Sequence, residues 1–299
     1  MAASPSTLNR SLELAGTLPA LMVAADRVAA TVIQGVHGRR RVGQGDAFWQ
    51  YRPYRDGDSA SQIDWRQSAR SRNLFVRETE WEAAASVWLW RDGSPSMQYA
   101  SLRGLDTKAV RAEVITLALA SLLTDAAERV AVLGTGMRPI TGRIAVRRVA
   151  ETLFDETREG NRQPPSLPPM VPLPAHGTVV LVSDWLDPLE KIEDIVRYYA
   201  SAGVRGHLVQ VLDPAEEDLP FDGHVKFEGL EAEGQHTIRR VETVRTAYGA
   251  RLAAQREGLQ RLARPANWTV HLHRTDRPAQ TVLLSLYLAM ADLRRLTTA

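Results

Sequence analysis

Cysteine is absent from all 299 residues. That excludes disulfides, thiolate metal sites and cysteine nucleophiles, and it fits a reducing compartment. Lysine is nearly absent too: Lys108, Lys191 and Lys226 are the only ones, so the basic charge is carried almost wholly by Arg. We read this bias as genome composition. There is no long hydrophobic run. The nearest candidate, Thr281 to Met290, falls short of the ~20 apolar residues of a membrane span and runs into Asp292, Arg294 and Arg295. The opening stretch, Met1 to Arg10, is polar and lacks the apolar centre of a signal peptide. Charge of one sign is not in excess either, since the formal net charge is +2. These absences set the expectation of a cytoplasmic protein with no transmembrane segment, peripheral membrane association alone being left open.

What is present suits a globular chain. Hydrophobic residues make up 44% and charged residues 24%, enough apolar material for one large core or two modest ones. Residues 17–36 read as a helix of Leu, Ala, Val and Met. Residues 37–82 are rich in Arg, Asp and aromatics and are broken by Gly43, Gly45, Pro53 and Gly57, with a strand expected over Asn73 to Arg77.

From Ala84 onward strands and helices alternate. Strands are expected at 84–90, 130–133, 178–182, 207–212 and 268–272, and helices at 107–126, 144–154, 189–200, 241–263 and 281–296. Such alternation predicts an α/β fold with a doubly wound, mostly parallel, Rossmann-like sheet. Residues 1–83 form its helical and Arg/aromatic-rich extension, packing on a core of 84–299. Two pieces interrupt the alternation. Residues 161–174 carry six prolines and are expected to be an extended, solvent-exposed loop. Residues 224–238 read as a hairpin.

The most informative stretch is Asp92-Gly93-Ser94-Pro95-Ser96, directly after the apolar run Ala84 to Trp90. One carboxylate and two hydroxyls alternate where a buried strand should open into a loop. Hard divalent cations take oxygen ligands of this kind, and open α/β sheets bind ligands beyond the carboxyl ends of their strands. Asp184, after Val179 to Ser183, stands in the same strand-end position. The helix that follows is expected to use Asp187 as its N-cap, Pro188 at its first position and Glu190 three residues in, which leaves Asp184 free. Thr141 reads equally as a further ligand or as the N-cap of the helix at 144–154, with Thr135 as a weaker substitute.

The loop resembles the first loop of the metal-ion-dependent adhesion site of von Willebrand factor A domains, an Asp-x-Ser-x-Ser motif completed by a Thr and an Asp from two later loops. The resemblance implies Asp92, Ser94, Ser96, Thr141 and Asp184 as metal-site residues. It also implies Mg²⁺, with Mn²⁺ or Ca²⁺ as alternatives. Upstream, Phe48 to Asp58, Ile63 to Arg70 and Val76-Arg77-Glu78, with Met97 after Ser96, closely resemble the bacterial domain-of-unknown-function family 58. Members of that family are commonly encoded beside MoxR-type AAA+ ATPases. The resemblance implies a chaperone-like or assembly partner of such an ATPase. Many members carry membrane helices, and this sequence departs from them there.

The expectation is therefore a non-catalytic, metal-dependent protein-interaction module, with a partner carboxylate completing the metal shell. Two alternatives stay open. One is a Mg²⁺-dependent phosphoester hydrolase, although no second Asp follows two residues after Asp92, and neither a phosphate-binding Gly-Lys loop nor a Gly-x-Ser-x-Gly elbow occurs. The other is nucleic-acid binding through residues 39–77, where Arg would meet phosphates and Trp49, Tyr51, Tyr54 or Trp65 would stack on bases. The near-balanced charge favours internal pairing of Arg52, Arg55, Arg66 and Arg70 with Asp56, Asp58 and Asp64. His271 and His273 alternate on an expected strand and are read as ordinary strand residues.

Overall fold

The computed structural model describes residues 23, 25–32, 48–54, 63–71, 73–79, 85–158, 164–228 and 234–297. The chain divides into two compact units, Met1–Gly35 together with Ala85–Ala299, and Val36–Ala84. The helix expected at 17–36 is seen as α1 over 25–32, with Ala25, Ala29 and Val32 buried at helical spacing. Asp26 accepts a hydrogen bond from Ser121 Oγ (3.2 Å), so α1 belongs with the larger unit and not with the Arg-rich segment that follows it.

In the smaller unit, β1 (Phe48–Pro53) pairs antiparallel with β2 (Phe75–Thr79), and the short helix α2 (Trp65–Ser68) lies between them in sequence. Asp64 caps α2 by accepting from Gln67 N at 2.9 Å. Ser68 Oγ donates to Asp64 O and accepts from Phe75 N, tying the helix to β2. Arg66 and Arg70 are exposed. Arg39 to Arg41, Arg55, Asp56 and Asp58 lie outside the described residues.

The larger unit is a doubly wound α/β domain. Its sheet contains β3 (Ser86–Arg91), β4 (Arg129–Val132), β5 (Thr178–Ser183), β6 (Arg205–Leu212) and β9 (Thr269–Arg274), all parallel, in the spatial order β4-β3-β5-β6-β9. Counted within the sheet this is 2-1-3-4-5, one of the two common doubly wound orders, whose topological switch lies between the first and third strands. Here those strands are β3 and β5.

Side chains alternate along both. Trp88 and Trp90 of β3 and Val179 and Leu181 of β5 enter one core; Val87, Leu89, Val180 and Val182 are buried on the other face. The helices α3 (Lys108–Asp125), α4 (Arg143–Arg158) and α8 (Ala279–Thr297) pack with one another through α3. On the other side α5 (Leu189–Ser201) packs against α7 (Arg245–Ala263). The short helix α6 (Pro214–Asp218) follows β6, and β7 (Val225–Glu228) pairs with β8 (Gln235–Ile238) as the expected hairpin. No helix among the described residues is long and apolar enough to cross a membrane.

Two local expectations are corrected. The Pro-rich segment is extended but not freely exposed. Over 164–174 buried and half-buried residues alternate with exposed ones, Pro168 is buried, and Leu167, Val171 and Leu173 pack against the Trp88/Trp90 core. Tyr199 fixes it, donating from its hydroxyl to Pro169 O (2.5 Å) and accepting from Val171 N (3.3 Å). Apolar residues between the prolines decide the outcome, because they bury surface that an exposed loop would leave in water. The start of α5 also differs. Pro188 precedes its first residue without a side-chain cap, and Asp187 accepts instead from Ser166 Oγ of the Pro-rich segment at 3.1 Å.

Close packing at the far side of the sheet yields a stability prediction. A Cβ on Gly206 would stand 2.1 Å from the ring of Trp268, whose indole donates to Val204 O at 3.1 Å. Gly206→Ala is expected to cost about 1–3 kcal/mol through overpacking, read by urea unfolding. A change near zero would show that the ring shifts without strain.

A carboxylate and hydroxyl cluster at the topological switch

Asp92 and Asp184 follow β3 and β5 directly, so the switch point sets them side by side. The β3–β5 pairing runs one step past β3, where Asp92 N donates to Val182 O at 2.8 Å. The Asp92 side chain then turns back on its own loop. Its Oδ1 accepts from Ser94 N (2.7 Å) and its Oδ2 from Ser183 Oγ (2.8 Å). Gly93 between them leaves room for the Arg91 guanidinium, since a Cβ there would stand 2.7 Å from Arg91 Nη1 and push that side chain aside. Pro95 opens a single 3₁₀ turn, Pro95–Gln98, anchored by the buried Met97. That turn brings the Ser94 and Ser96 hydroxyls to 3.1 Å, and Ser96 Oγ donates to Asp184 Oδ2 at 2.8 Å.

Trp185 holds Asp184 in place. It is fully buried, its indole donates to Val209 O (3.1 Å), and its backbone lies in the left-handed region at φ 53°. Gln210 Nε2 donates to Asp184 O at 2.8 Å and adds a second restraint.

The structure thus brings Asp92, Ser94, Ser96 and Asp184 together. Thr141 is elsewhere. After β4 the chain turns back, and Ile140 pairs antiparallel with Val130. Val130 is level with Val87, five residues before Asp92 on β3, roughly 16 Å away along the strand direction. Thr141 is exposed at that end, just ahead of α4. Thr135 is exposed after β4 and donates its hydroxyl to Val132 O at 3.0 Å.

Four further residues complete the cluster without having been expected there. Ser183 bonds Asp92 as above. Lys108, the first residue of α3, is fully buried, and its Nζ lies 3.0 Å from Asp184 Oδ2 and 2.5 Å from Glu216 Oε1. Glu216 belongs to a capping box in which Asp213 accepts from Ala215 N while Glu216 Oε2 accepts from Asp213 N. The other carboxylate oxygen of Asp213 accepts from Ser101 N at 2.9 Å, which ties the far end of the Asp92 loop to β6.

Electrostatics follow from burial. Burial pushes the Asp92 carboxyl up to about 6, with a further rise from Asp184, against the lowering effect of its Ser94 and Ser183 bonds. Burial likewise raises Glu216 above the usual carboxylate range. For Lys108, burial disfavours the ammonium, but Asp184 and Glu216 together outweigh it and leave the pKa above that of an ordinary lysine.

The donor set fits a hard divalent cation. Ser94 Oγ, Ser96 Oγ and Asp184 Oδ2 are spaced at 3.1 and 2.8 Å, close to the ~3 Å between neighbouring ligands of an octahedron with 2.0–2.1 Å metal–oxygen bonds. Asp92 adds a desolvated carboxylate beside them. Among the described residues, no three His, Asp or Glu side chains gather as a metal site. The arrangement is therefore hydroxyl-rich, with two carboxylates and a lysine ammonium already on one of them.

Comparison with known proteins places the chain in a family. The family described as "Protein of unknown function DUF58" matches residues 50–258. Uncharacterized proteins of Mycobacterium bovis and Mycobacterium tuberculosis are 24% identical over 297 residues, covering 91% of this chain and 89% of theirs. No solved structure is a significant match.

Proposed function

The chain belongs to the DUF58 family of proteins of unknown function, and on that premise we propose that it is a non-catalytic, metal-dependent protein-interaction module of the cytoplasm. The observation that carries this reading is the row of hydroxyl and carboxylate oxygens, Ser94, Ser96 and Asp184, held at the switch point beside the buried Asp92. A Mg²⁺ ion there would supply two positive charges and open coordination positions suited to a carboxylate from a partner.

The chain's own residues do the positioning. Pro95 and Met97 fix the turn that aims the two serines, and Trp185 fixes Asp184. Ser183 and Ser94 N hold the Asp92 carboxylate in one orientation. Held in this way, these oxygens would leave a bound ion free to exchange water for a charged ligand. The motif's resemblance to adhesion-type metal loops supports the reading. The family's resemblance-based association with MoxR-type AAA+ ATPases makes such an ATPase the partner we propose.

Two measurements test this. Mg²⁺ titrated calorimetrically into the full chain is expected to bind one site, and Ser94→Ala/Ser96→Ala is expected to abolish the heat. Capture of a purified MoxR-type ATPase from the same organism is expected to need Mg²⁺ and to be lost with Asp92→Ala. Capture that persists unchanged in EDTA would defeat the metal-bridged reading.

A further inference from the structure

We infer that Lys108 is a resident cation of this site: its ammonium holds Asp184 in an ion's stead and sets a threshold that Mg²⁺ must overcome. The inference deepens the metal-site reading above and rests on it. Lys108 has no local reason to be where it is. It stands at the first position of an 18-residue helix, the end at which the helix dipole disfavours a cation. Thr107 already caps that helix through Val110 N. The side chain is nonetheless withdrawn from water completely and runs to two carboxylates from two other loops.

The geometry makes ammonium and metal rivals. Lys108 Nζ and Ser96 Oγ bond the same oxygen, Asp184 Oδ2. An ion on the Ser94–Ser96 edge would draw on that oxygen and stand within a few ångströms of a fixed positive charge, at a separation where like charges repel strongly in a protein interior. Glu216 gives the lysine somewhere to remain. Its Oε1 holds the ammonium while its Oε2 is locked into the α6 capping box, so Lys108 has an acidic partner whether or not Asp184 is committed elsewhere. The pair Asp184 and Glu216 therefore forms a two-position seat for one internal cation, open at the Asp184 end to exchange.

The test uses the full chain with Lys108→Met, which removes the charge, and Lys108→Gln, which removes the charge but keeps a hydrogen-bond donor. If Lys108→Met fails to fold, Lys108→Gln carries the same comparison. Mg²⁺ affinity is read by calorimetry, and thermal melting is followed in EDTA and in millimolar Mg²⁺. Both variants are expected to bind Mg²⁺ at least tenfold more tightly than the parent, to melt at lower temperature in EDTA, and to recover with Mg²⁺. The parent melt should respond little to Mg²⁺. Equal affinity in parent and variants would overturn the role of Lys108 and leave the metal site standing. No heat and no melting response in any of the three would overturn the metal site and this inference with it.

Discussion

Trp185→Ala is expected to lower the unfolding free energy by about 3–5 kcal/mol, the range for removing a large buried aromatic side chain. The residue is fully buried, stands 6.4 Å from the ring of Trp90 in a tilted pair, and carries the indole bond to Val209 O. Against this, its left-handed backbone (φ 53°) costs about 1–3 kcal/mol for a residue with a Cβ. Burial exceeds strain, so the turn keeps a tryptophan where glycine would relax the backbone. The consequence reaches the site, because Asp184 is the preceding residue and its carbonyl is bonded by Gln210. Urea unfolding measures the loss, and Mg²⁺ calorimetry on the folded variant should show weakened binding as Asp184 loosens. Trp185→Phe, keeping a ring but not the indole donor, should fall between the two. A loss under about 1 kcal/mol for the alanine variant would mean that the ring is not the anchor.

Much of this domain is legible from sequence because its strands are continuous apolar runs and its helices have helical periodicity. The expected strand 178–182 is found as Thr178–Ser183, and the expected helix 107–126 as Lys108–Asp125. Asp92 and Asp184 are legible for the same reason, since each follows a buried strand. What stays hidden depends on contacts between distant loops. Lys108 and Glu216 are more than a hundred residues apart, and only the β3-β5-β6 order of the sheet brings the segments that follow β3 and β6 together.

One signal was available. In a chain that uses Arg almost everywhere, a Lys at the unfavourable end of a helix asks for a partner, and composition alone passes over it. The mirror case is Asp213-Pro214-Ala215-Glu216, a capping box in fact, whereas the look-alike Asp187-Pro188-Leu189-Glu190 is not: Pro188 precedes that helix without a side-chain cap, and Asp187 accepts from Ser166. Thr141 fails to join the site for a topological reason. Periodicity marks where α4 starts, but not that the chain has first run back along β4 through the Val130–Ile140 pairing.

Asp92→Asn is expected to stabilise the metal-free protein at pH 8 and to abolish its calorimetric binding of Mg²⁺. The sign follows from the direction of the shift. The Asp92 carboxyl is raised from 3.8 to about 6 in the folded chain, so the folded state holds this proton more tightly than the unfolded one. That contribution to stability is fully present below pH 3.8 and is lost as pH rises through 6. Above pH 6 the parent keeps a buried charge whose cost, at 1.36 kcal/mol per unit, is at most about 3 kcal/mol.

An asparagine carries no such charge. Its oxygen still accepts from Ser94 N, and its amide can donate to Ser183 Oγ, which already accepts from Trp185 N. In EDTA the variant should therefore exceed the parent in stability at pH 8, and the two should converge as pH falls below about 4; urea unfolding across pH reads both. A less stable asparagine variant at pH 8 would show that the negative charge is already compensated within the fold. A gain has the opposite meaning. The neighbouring ammonium is seated on Asp184 and Glu216, and Asp92 is bonded by neutral groups. Under the proposed reading, a fully buried carboxylate kept at a net cost at the switch point of the sheet is the group whose charge a bound cation would use.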